Sequence, residues 1–182
     1  MEVTLKYKYS FILFLIGFIL QSSVMHHISI FGVTPNLILC LVIIFSFLYD
    51  DDHGIVFGLI FGLIQDICFS EIIGVAAISY LLIALLCLEL NRYLYKESLI
   101  SILIVSSIGT ISYGLFYWGI IKMLGSEYEF IYMLKMEAIL LIYNGIVMLI
   151  MYLIMSRRVI KHQSDRYIYQ GNLSEARSLN RL

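Results

Sequence analysis

Charge is scarce in this 182-residue chain. Asp, Glu, Lys and Arg together make up 14% of it, against about 25% in a soluble domain. Hydrophobic residues make up 61%, and the mean hydropathy is +0.93. Such a chain cannot hide its apolar side chains in one water-facing core, which excludes a soluble enzyme, a nucleic-acid binder and a disordered scaffold. Proline is nearly absent, with one residue against 12 glycines, so fibrous or low-complexity character is excluded as well. Three cysteines, Cys40, Cys68 and Cys87, lie far apart in apolar runs. They give no CxxC pair and no disulfide framework, and they are expected to be small buried hydrophobes. There is no HExxH, no GxSxG, no Walker glycine loop and no Ser/Lys dyad. No catalytic residue, cofactor or metal is therefore expected. The formal charge of −1 gives no reason to expect a polyanionic partner.

What is present is a set of apolar runs, and the bilayer is their solvent. Six stand out, at about 9–28, 35–49, 54–69, 72–90, 99–121 and 132–155. They predict an all-α integral membrane protein with six transmembrane helices in a compact bundle over 1–158. A basic cytoplasmic tail follows over 159–182. Runs two and three are short against the roughly 20 residues that a 30 Å core requires. A re-entrant pair is the alternative for them. Asp50, Asp51, Asp52 and His53 between them belong in water and favour two true spans. The first run is expected to be a retained signal-anchor, since no small-x-small cleavage site follows it.

Ten of the twelve basic residues fall on one side of this arrangement: Lys6, Lys8, Arg92, Lys96, Arg157, Arg158, Lys161, Arg166, Arg177 and Arg181. Lys122 and Lys135 fall on the other. The positive-inside rule then puts both termini in the cytoplasm.

A few polar residues interrupt the apolar runs. Gly54, Gly58, Gly62 and Asp66 recur every four residues and form one stripe on a helix. The glycines permit close approach of another helix. Asp66, with Gln65 beside it, is either satisfied at a packing seam or part of a functional contact surface or polar cavity. Thr34 is a plausible N-cap for the second run, with Pro35 in its first turn. Asn36 is suited to capping locally or to bonding another helix. Asn144 in the sixth run and Gln21-Ser22-Ser23 at the end of the first are suited to bonding between helices. Glu89 and Glu137 are expected at the interface, and His26-His27 and Asp50–His53 in exposed loops.

Taken in order, Gln21-Ser22-Ser23, Phe31-Gly32-Val33, Pro35-Asn36-Leu37, the glycine run closing on Gln65-Asp66, Gly74 and Tyr143-Asn144 resemble the rod shape-determining protein MreD family. One departure is Asn36, where the family pattern leads one to expect Asp. Hydrogen bonding is kept there and charge is lost. The resemblance implies a non-catalytic subunit of the bacterial elongation machinery in the cytoplasmic membrane. Its expected partner is the bitopic protein MreC, and through it MreB, RodA and a penicillin-binding transpeptidase. The resemblance also implies a fold similar to the substrate-binding subunits of ECF transporters. Uptake of a small molecule, with Gln65, Asp66 and Asn144 in a solute pocket, is the alternative function. In the principal reading, Gly54, Gly58, Gly62, Gln65, Asp66, Pro35, Asn36 and Asn144 are the candidates for helix packing or partner contact.

Overall fold

A computed structural model of the chain describes residues 7–23, 29, 32–49, 52–95, 98–127 and 129–179, with side chains as far as 154. His26, His27, Phe31, Asp50, Asp51 and Lys96 lie outside the described residues, as do the side chains of the basic tail. Among the described residues there are six helices: α1 (Tyr7–Ser23), α2 (Leu37–Leu48), α3 (His53–Phe69), α4 (Val75–Leu90), α5 (Leu99–Met123) and α6 (Phe130–Leu179). α5 and the Phe130–Ile154 part of α6 are each long and apolar enough to cross a membrane. α1 to α4 are shorter, at 12 to 17 residues. α6 runs on through the tail without a break.

α2 is apolar all round, and all twelve of its residues are buried. That pattern belongs to a helix enclosed on every side. The other five helices form an arc around it. α1 packs on α3, α3 on α4, α4 on α5 and α5 on α6, and each of them also packs on α2. α1 and α6 do not touch among the described residues, so the arc has one gap. α2 is about 18 Å long at 1.5 Å per residue, well short of a 30 Å hydrocarbon core. Its start is buried in the bundle, with Asn36 8% and Leu37 5% exposed.

Aromatic rings fill the α1–α3 side. Phe14 lies 5.5 and 5.6 Å from Phe57 and Phe61, and 5.4 Å from Phe45 of α2. His53 is no exposed loop residue. It opens α3, is 2% exposed, hydrogen-bonds Ser10 Oγ through Nδ1 at 2.9 Å and meets the Tyr7 ring at 4.1 Å. Burying an imidazole requires such partners. Cys40 and Cys87 are buried as expected, whereas Cys68 is exposed, because it lies on the outer face of α3. α4 starts at Val75 rather than near 72. Gly74 has φ +102°, a left-handed conformation that breaks a helix and suits glycine.

Candidate functional site

A helix leaves its first backbone N–H groups without partners. Side chains of the cap residue and of two other helices meet this need at the start of α2. Asn36, rather than Thr34, is the N-cap, and its Oδ1 accepts from Leu39 N at 2.9 Å. Gln21 of α1 accepts from Ile38 N at 3.0 Å. Asn144 of α6 accepts from Asn36 N at 2.9 Å. Pro35 has no N–H to satisfy and stands one residue before the cap.

The same groups join sideways. Gln21 Nε2 donates to Gln65 Oε1 at 3.2 Å. The Tyr80 hydroxyl is 3.0 Å from both Asn36 Oδ1 and Gln65 Oε1 and has one proton to share between them. Asn144 Nδ2 reaches Thr110 Oγ1 of α5 at 3.3 Å. The network thus draws on α1 and α3–α6 around the start of α2. Replacing Asn144 by Leu should cost about 1–2 kcal/mol, because it strands the Asn36 N–H in an apolar site. Unfolding of the purified variant in mixed micelles would measure this, and an unchanged midpoint would contradict it.

Asp66 stands apart from this network. It is fully buried, and Oδ2 accepts from the backbone of Gly74 (2.9 Å), Ala76 (2.9 Å) and Ala77 (3.3 Å). Oδ1 accepts from Ser70 Oγ at 3.1 Å. The carboxylate therefore ties the end of α3 to the start of α4, where the helix dipole also favours negative charge.

The glycine stripe lies inside the protein. A Cβ at Gly58 would lie 3.0 Å from Val42 Cγ2, and one at Gly62 would lie 2.7 Å from Ala77 Cα. A Cβ at Gly54 would collide with Ser46 Oγ. The stripe seats α3 on α2 and α4.

Above the start of α2 lies an open cavity of ≈ 700 Å³. Asn36 and Gln65 are among its lining residues, with Phe69, Tyr117, Met136 and Leu140 as walls. Smaller hollows of ≈ 240 and ≈ 440 Å³ adjoin it at Phe69. Along α6 it extends from Tyr132 to Leu140, about 12 Å at helical rise.

Among known families, the one described as rod shape-determining protein MreD matches residues 1–159. The chain belongs to the MreD family. No curated protein and no solved structure matches it. Membership, together with two long apolar helices, makes this a membrane protein of a shape-determining family that is non-enzymatic in general.

Within this MreD-family chain, Gln65, Asn36 and Asn144 come together at one place, with Pro35 at the cavity wall. Asp66 and the glycines serve the neighbouring seam. Tyr80 and Thr110 escaped the sequence reading, because their polar atoms matter through partners on other helices, such as Asn36 and Asn144, 44 and 34 residues away. Glu137 is buried within the protein. It is 8% exposed, packs over Gly114 of α5, and its Oε1 has no hydrogen-bond partner. Glu89 is exposed and pairs with Arg92 at 3.2 Å.

Proposed function

We propose that this chain is the multi-pass, non-catalytic subunit of the bacterial elongation machinery that holds MreC in the cytoplasmic membrane. The family match over residues 1–159 carries the proposal. All six apolar segments belong to the membrane domain, both termini are cytoplasmic, and the cavity opens outward. The distribution of basic residues supports this orientation. Through MreC the chain acts on cell shape and peptidoglycan synthesis, with MreB, RodA and its penicillin-binding transpeptidase as indirect partners.

The gap between α1 and α6 is the place for a partner's single helix, since every other neighbouring pair in the arc is already packed. Lipid supplies little hydrophobic drive for association, so shape fit must supply it. Leu13 and Leu20 of α1 face this gap, a quarter-turn round from the Ser10–Phe14–Gly17 face and away from α3. Ile150 of α6 borders it from the other side. Photo-crosslinking residues placed at 13 or 150 should capture MreC in growing rod-shaped cells. The same residue at Leu85 on α4, also exposed, should not. Capture from 85 alone, or no capture of MreC from any position, would refute this reading.

A further inference from the structure

We propose that the cavity above α2 binds a small uncharged molecule bearing a carbonyl-type hydrogen-bond acceptor on a flat apolar body. The orientation of two amides decides the chemistry. A backbone N–H can only donate, so Leu39 N fixes the Asn36 side chain with Oδ1 toward α2. Asn36 Nδ2 is left over. Ile38 N likewise fixes Gln21 with Oε1 toward α2, and Gln21 must then present Nε2 to Gln65. Gln65 must answer with its oxygen, and the Tyr80 hydroxyl occupies that oxygen too. Gln65 Nε2 is left over in turn.

Two amide nitrogens thus lie at the cavity with their oxygens already in use. Asn36 is 8% exposed and Gln65 is half-buried, and both line the cavity. In this open cavity a ligand oxygen can take the place of water on these donors. The site asks for an acceptor.

Among the described residues, no Lys, Arg, His, Asp or Glu lines this cavity. An anion would lack a counter-charge, and Glu71 in the adjoining hollow would repel it. A cation would face N–H donors. Phe69, Tyr117, Met136 and Leu140 provide the surface for a flat apolar body. The volume falls within the range of small-molecule sites.

Benzophenone, an uncharged aromatic ketone, is a direct probe. Under ultraviolet light its carbonyl abstracts a hydrogen from a nearby C–H bond, and the two radicals join in a new C–C bond. The purified full chain in lipid nanodiscs would be irradiated with it, and the adducts located by mass spectrometry. Adducts should concentrate on Met136, Leu140 and Phe69. Asn36→Asp and Gln65→Glu keep the accepting oxygen of each side chain and replace only the free nitrogen. Together they should weaken saturable labelling about ten-fold. Because that pair puts carboxylates in the cavity, Leu140→Trp, which fills it with no new charge, serves as a second test and should abolish labelling of Met136. Adducts spread over the exposed Ile131, Leu134 and Ile142, or labelling that these variants leave intact, would overturn the assignment. Labelling is read on the chain alone, so its outcome does not depend on MreC.

Discussion

Gly62→Ala is expected to cost about 3 kcal/mol, near the upper end of overpacking substitutions. The added Cβ would lie 2.7 Å from Ala77 Cα and 2.9 Å from Ala77 N. These are backbone atoms and cannot rotate aside as a side-chain tip can. They also belong to the first turn of α4, which Asp66 holds in place. Relief requires α3 and α4 to separate, which disturbs Tyr80 and its hydrogen bonds as well. Gly145→Ala is the matched control, since nothing lies within 4 Å of its Cβ position. There the gain in helix propensity, up to ~1 kcal/mol, stands unopposed. Unfolding of both variants in mixed micelles separates the cases. A Gly62→Ala protein as stable as the parent would mean that α3 and α4 are not this close.

Asp66→Ala should be comparably damaging, at about 3 kcal/mol or more. It removes the acceptor of three backbone N–H groups and of the Ser70 hydroxyl in one step, and each buried orphan costs about 1–3 kcal/mol before any relaxation. Asp66→Asn should be mild. Its amide oxygen can take the three N–H bonds, and its nitrogen can donate to Ser70 once that hydroxyl reverses its role. The contrast distinguishes a capping carboxylate from one whose charge serves a partner. Folded, monodisperse Asn protein beside a failing Ala protein fits the first. Equal failure of both would show that the negative charge itself is required.

The helix count and the approximate limits of α2 to α5 were legible in the sequence, because apolar runs and their breaks report directly on lipid and water; the sixth helix instead continues past the expected end at 155 to Leu179, since polar residues can extend a helix that no apolar run marks. The Gly54–Asp66 stripe was legible for the same reason: a four-residue recurrence becomes a face. Its partners were not. Nothing in the run says that Asp66 turns to the amides of Gly74–Ala77 rather than to a solute or another protein. Likewise His53 beside three aspartates has the character of a loop until Ser10 and Tyr7 are brought to it from α1. Glu137 shows the converse case. Its place near the start of a span suggests water, and only the missing side chain at Gly114 reveals where it goes. Side-chain polarity is local information. Satisfaction of that polarity is settled by helices that are neighbours only after folding.

The bond from Asn36 to Asn144 joins residues 108 positions apart, and this has a consequence for how the chain is made. During synthesis the second apolar segment is made long before the sixth exists. Until the last segment arrives, the Asn36 amide lacks its proper acceptor, and one flank of α2 is open. Chains stopped short of residue 144 therefore lack the acceptor that the finished fold supplies to this N–H.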